Sequence, residues 1–196
     1  MFSNDELRGF IRGEILGDVF PYHTNDHQEV EKHLERLFYR IKRIHGVECE
    51  ADFDHYGSGY ASFVEFFCHR KTDTKVLWTN NGIQEKETIG IIVNISRLAP
   101  VAIMGEDTRS QRVRVETGEW LSGGNGLLIG DPRALQVSED LKELARAIKL
   151  ALHEYDIELL TKDQLDSPLP FKAEIPTILQ EPSNYLVMDA IFYWED

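Results

Sequence analysis

His23 and His27 stand four residues apart, with Asp26 between them and His33 further on, a spacing at which two imidazoles on one helical face can chelate a metal ion. The pair straddles the start of a predicted helix, so the rings need not share a face. The residues after His23 are Thr24 and Asn25, where a metalloprotease motif needs a glutamate. Polar residues around a capped helix start are the better reading, and no metal or other cofactor is expected. Glu48, Glu50, Asp52 and Asp54 repeat at every second position, about 7 Å apart along one strand face. Hard cations and glycosidase-type acid/base pairs need carboxylates that converge on one point, which a linear ladder does not provide. The ladder reads first as a solvated face, second as a docking stripe for a basic partner, and last as a catalytic device. Ser122-Gly123-Gly124-Asn125-Gly126 is glycine-rich. It lacks the lysine of a phosphate loop, and Leu127–Ile129 reads as a strand where a phosphate site needs a helix N-terminus. A turn accounts for those glycines. Cys68 and His69 are neighbours in a predicted strand and would point to opposite faces, so they make no nucleophile–base pair. Neither a Gly-x-Ser-x-Gly elbow nor a Cys-x-x-Cys or kinase signature occurs.

The elements that must carry these residues follow from periodicity. Ser3 or Asn4 caps a first helix held by Leu7, Phe10, Ile11 and Ile15, although Gly9, Gly13 and Gly17 weaken it. Asp26 with Glu29 opens a second helix, Val30, Leu34, Leu37, Phe38, Ile41 and Ile44 follow at helical spacing, and Gly46 stops it. The period then changes to two. Val47–Asp54 predicts a half-buried strand with an acidic outer face, and Tyr60–His69 a central strand that is apolar on both sides. Lys75–Thr79, Ile89–Ser96, Val101–Met104, the Val113–Val115 segment and Leu127–Ile129 predict further strands, with Asn80-Asn81-Gly82 as a hairpin turn. Ser138 caps a third helix striped by Leu141, Leu144, Ala145, Ile148 and Leu152, and Thr161 with Gln164 opens a short fourth. The proline-rich stretch 167–183 should lie on the surface, and Tyr185–Trp194 should close the chain as a strand. The expected fold is a single α+β domain over 1–196: a largely antiparallel sheet flanked by helices near 26–45 and 138–153, with the last strand returning to the sheet.

Thirty-four acidic residues against twenty-one basic ones leave a formal charge of −13. That field repels phosphate backbones and anionic lipid, so neither nucleic acid nor membrane is an expected partner. Residues 138–196 hold 13 acids and 5 bases, whereas residues 1–46 hold 8 and 7, so the charge is concentrated toward the end. There Ile191, Phe192, Tyr193 and Trp194 run into Glu195 and Asp196. Aromatics rimmed by carboxylates suit an interface with a basic protein, although a last core strand would read the same way. Met1–Phe20 mixes charges among its apolar residues and is not read as a signal peptide. Cys49 and Cys68 sit in apolar segments and are expected as free, buried thiols in a reducing, cytoplasmic setting.

The expectation is therefore a non-enzymatic acidic protein that binds a basic protein partner through Glu48, Glu50, Asp52, Asp54, Glu195 and Asp196; homo-oligomers remain compatible with it. In size, acidity and want of a catalytic signature it is similar, in general character alone, to the bacterial immunity proteins that neutralise toxins; no motif is matched and no residue is carried over. An enzyme with an unrecognised, metal-dependent site at His23 and His27 is the alternative. A small-ligand module with a pocket of Tyr56, Tyr60, Trp78 and Trp120 is the third reading.

Overall fold

The computed structural model describes residues 2–54, 57, 59–177 and 179–195. Its frame is one long hairpin. Strands β5 (Ile83–Ser96) and β6 (Val101–Arg114) pair along almost their whole length, about 45 Å at the usual rise per residue. On the outer side of β5, β3 (Phe63–Arg70) covers one half and β4 (Thr74–Asn80) the other. β1 (Val47–Asp52) then extends the sheet beyond β3. On the outer side of β6, β7 (Trp120–Gly124) pairs antiparallel at the far end, and β8 (Glu158–Leu159) pairs parallel at Val101 and Ala102. The Asn81-Gly82 turn carries φ of 49° and 73°, the two positive values that a tight hairpin with the strands' own twist requires.

The β3 half of the sheet is buried on both faces. Helix α2 (His27–Lys42) lies on one face, with Phe38 against Phe66 at 5.6 Å between ring centroids. Val30, Leu34, Leu37 and Ile41 form its buried stripe, and the Asp26 carboxylate accepts the N–H groups of Gln28 and Glu29 at its start. Helix α3 (Lys142–Glu154) packs beside α2, and a single 3₁₀ turn, Glu139–Leu141, precedes it. On the other face Phe63 meets Phe192, and Leu128 lies over Gly105. Helices α1 (Asn4–Ile11) and α4 (Lys162–Leu165) start at the predicted caps, Ser3 and Thr161. Arg97, buried between β5 and β6, donates to the carbonyl oxygens of Phe53, Ala61 and Phe63 and pairs with Glu31 of α2 at 3.0 Å. It ties helix to sheet. No helix among the described residues is long and apolar enough to cross a membrane.

The α+β class and both flanking helices are as the sequence predicts. Several details differ, and the strand predicted over Tyr60–His69 breaks at Ser62 into Tyr60–Ala61 and Phe63–Arg70, which lie in different sheets. Tyr185–Trp194 is not one strand: it folds as helix α5 (Val187–Ile191) and then β9 (Trp194–Glu195), which pairs with β2 (Tyr60–Ala61) in a separate two-stranded ribbon. Apart from Asp189 the run is apolar throughout, so its pattern has no period with which to choose between helix and strand. The Asp189 carboxylate accepts the Leu186 N–H at 2.8 Å and holds the helix start; burial raises its pKa, against that hydrogen bond. Ser122–Gly124 of the glycine-rich segment, read as a turn, belong to β7, and Leu127–Ile129 forms no strand. Here glycine serves close approach: a Cβ on Gly123 would lie 2.6 Å from the Ser110 carbonyl oxygen and 3.2 Å from Trp120 Nε1. The segments predicted separately at Val101–Met104 and around Val113 are one continuous strand, β6.

Candidate functional site

The far half of the β5–β6 hairpin, with β4 and β7, projects from the core, and most of its side chains are exposed or half-buried. Where it joins the body, a cleft of about 300 Å3 opens on the sheet face away from α2. Glu50 and Asp52 of β1, Glu65 of β3, Arg109 and Gln111 of β6, Trp120 of β7 and Asn125 line it. Strand register explains the grouping. Asp52 is directly opposite Glu65, Glu50 opposite Phe67, and Gln111 opposite Gly123, and residues opposite one another share a face.

Two carboxylates directly across a strand pair repel. The sheet answers with Arg109, which reaches from β6 to give Glu65 a 2.6 Å ion pair. The same guanidinium donates to Asp107 at 3.3 Å and stacks 4.0 Å from the Phe67 ring centroid. Glu65 is only 3% exposed, so its charge is stable there only with such a partner. Asp107 also accepts the N–H groups of Thr108 at 2.8 Å and Gly126 at 2.9 Å, which pins the chain after β7 against β6. Arg109 is thus engaged on three sides. At the mouth Glu50 is exposed and has no ion-pair partner among the described residues, and the Trp120 indole is 63% exposed across from it. A carboxylate facing an open aromatic ring can hold an ammonium or guanidinium group by charge and by cation–π attraction. The amides of Gln111 and Asn125 add hydrogen-bonding capacity.

The predicted ladder lies partly here. Glu48 is exposed and stands 3.6 Å from Lys71 Nζ and 3.8 Å from His69 Nε2, away from the cleft lining. Glu50 and Asp52 are in the lining. Asp54 lies past the end of β1 in a bend, where its N–H donates to Asp52 Oδ1 at 2.9 Å. Glu195 is exposed on β9, opposite Tyr60, in the small ribbon; Asp196 lies outside the described residues. His23 sits in a 3₁₀ turn and His27 at the first position of α2, both exposed, with left-handed Asn25 between them. Among the described residues no group of three His, Cys, Asp or Glu side chains could hold a metal ion. His33 is buried, its Nε2 3.2 Å from the Tyr155 carbonyl oxygen. Of the aromatic pocket set, Tyr56 lies outside the described residues. Trp78 and Trp120 occupy opposite faces of the projecting sheet: Trp78 stacks with Arg112, and Trp120 pairs with Val113.

Glu65, Asp107 and Arg109 are site residues that sequence reasoning passed over. One signal was present: Glu65 interrupts Phe63-Val64-Glu65-Phe66-Phe67, and a carboxylate inside a buried strand demands a buried cation. Comparison with protein-family models, curated proteins and solved structures finds no match to this chain.

Proposed function

We propose that this chain is a binding protein that takes a basic segment of a protein partner against the β1 face, seating a lysine or arginine side chain in the cleft between Glu50, Asp52 and Trp120. One observation carries the reading: the cleft's guanidinium, Arg109, is engaged by Glu65, Asp107 and Phe67, while the carboxylate of Glu50 and the ring of Trp120 face solvent at its mouth. The total charge of −13 supports it, because a negative surface steers a basic partner into contact. Glu48 and Glu195 are further exposed carboxylates for such steering.

The test uses octa-arginine and octa-lysine peptides as probes, with tryptophan fluorescence as the signal. Saturable binding that weakens steeply as salt rises is expected, since the Debye length falls to about 8 Å at physiological salt. Glu50→Lys should weaken binding at least tenfold, and Trp120→Phe should abolish most of the fluorescence change. Equal affinity for Glu50→Lys and the parent protein, with both variants folded by circular dichroism, would remove the cleft from the reading.

A further inference from the structure

The sequence contains two cysteines, and the fold sets them face to face. Cys49 of β1 and Cys68 of β3 are directly opposed in the antiparallel register. Their Sγ atoms are 3.0 Å apart, both thiols are free, and both are buried. Opposed residues in an antiparallel pair have Cα atoms about 4.5–5.5 Å apart, inside the range of about 4.4–6.8 Å that a disulfide spans. The sulfurs therefore need to approach by only about 1 Å to reach bonding distance. β1 is also an edge: among the described strands its only partner is β3. It carries Glu48, Glu50 and Asp52 on the face opposite the thiols.

We propose that Cys49 and Cys68 form a reversible cross-strand disulfide within the folded protein, closed by a peroxide and opened by a dithiol, which clamps the acid-bearing edge strand β1 to the sheet. Cys49 is the thiol reached first, because it lies on the edge strand and retains 6% exposure whereas Cys68 retains none. Its sulfur attacks hydrogen peroxide and the O–O bond breaks. One oxygen leaves as water, and the other stays as the Cys49 sulfenic acid. The Cys68 sulfur then forms the S–S bond, and the sulfenic oxygen leaves with the Cys68 proton as a second water. Two thiols lose two electrons in total, and one peroxide gains them. The contact with Cys49 and burial both raise the Cys68 thiol pKa, so the second step depends on proximity to the sulfenic acid and not on a ready thiolate. The resulting loop encloses 18 residues, 50–67, and the cross-link restricts the unfolded chain over that span.

The experiment treats the full folded chain with hydrogen peroxide at neutral pH and reads intact mass, non-reducing gel mobility and Tm. The expected result is a monomer lighter by about 2 Da, a peptide map joining the Cys49 and Cys68 fragments, and complete reversal by dithiothreitol. Tm should rise by roughly 5–10 °C for a loop of this length, and Cys49→Ser and Cys68→Ser should each lose both the mass change and the rise. Persistence of both thiols in the folded chain would overturn the proposal. So would sulfinic acid accumulating on Cys49 without a link, a link between two chains, or a link that forms only after urea has unfolded the protein.

Discussion

Replacing Arg109 with methionine should cost the protein about 3 kcal/mol. The substitution keeps an apolar chain over Phe67 but removes the guanidinium, which leaves the Glu65 carboxylate, 3% exposed, without its 2.6 Å ion-pair partner. Breaking a buried pair from one side costs about 3–5 kcal/mol. The low end applies because the Arg109 side chain itself keeps 16% exposure, and because Asp107 retains the backbone N–H groups of Thr108 and Gly126. Glu65→Gln alone should cost less, about 1–2 kcal/mol, since Arg109 still has Asp107 and a route to water. The double variant has no carboxylate at position 65 to match, and Asp107, though it loses Arg109, keeps the N–H groups of Thr108 and Gly126, so the variant should fall only about 1 kcal/mol below the parent. The cycle therefore carries a coupling energy of about 3–4 kcal/mol. Urea unfolding at pH 7 of the four proteins measures it directly, and the Tm of Arg109→Met should drop by roughly 6–12 °C. A loss below about 1 kcal/mol for Arg109→Met, or a double variant as unstable as the sum of the singles, would refute the argument that this pair exists to neutralise a carboxylate trapped in the sheet.

The buried His33 makes stability pH-dependent. Burial lowers its pKa below the ordinary 6.5, outweighing the hydrogen bond to Tyr155. The unfolded chain then binds that proton more readily than the folded one, so stability should fall as pH drops through about 6.5 and level off below the folded value. His33→Gln should flatten this part of a urea-midpoint profile between pH 7.5 and 5, and an unchanged slope would count against it. Neither Cys49 nor Cys68 should react with a bulky aromatic disulfide reagent in the reduced native protein, and both should react in urea; rapid native labelling would contradict their burial. Gly105→Ala should destabilise by about 1–3 kcal/mol, because its Cβ would run into the Ala134 carbonyl and lie 2.6 Å from Leu128 Cδ1. Gly124→Ala, whose Cβ first meets Ser110 Oγ at 3.4 Å, should change stability by no more than about 0.5 kcal/mol. Equal thermal shifts for these two would remove close approach as the reason for Gly105.

Features with short-range causes were legible in the chain. The start of α2 at Asp26, the Asn81-Gly82 turn, and the caps Ser3 and Thr161 depend on side chains and carbonyls within about four residues of one another, whereas α2 stops at Lys42, four residues before the predicted stop at Gly46. The acidic alternation of Val47–Asp52 and the apolar run of β3 were readable for the same reason, since a strand's two faces are written in neighbouring residues. Apolar pattern alone failed where it had no period, as in Tyr185–Trp194. It failed again where glycine marked close packing against another strand and not a turn, as in β7.

By itself, then, the sequence determined the α+β class, the flanking helices, the charge and the acidic face of β1, because each follows from composition or from local periodicity. Tertiary structure alone decided the site. The ion pair of Glu65 with Arg109 joins residues 44 apart, the Asp107 clasp on Gly126 joins residues 19 apart, and Cys49 meets Cys68 across another 19. Such partners are chosen by strand order and register, which set which rows of side chains share a face. Nothing within either segment of a pair specifies the other. The cleft could appear only once β1, β3, β6 and β7 had been laid side by side.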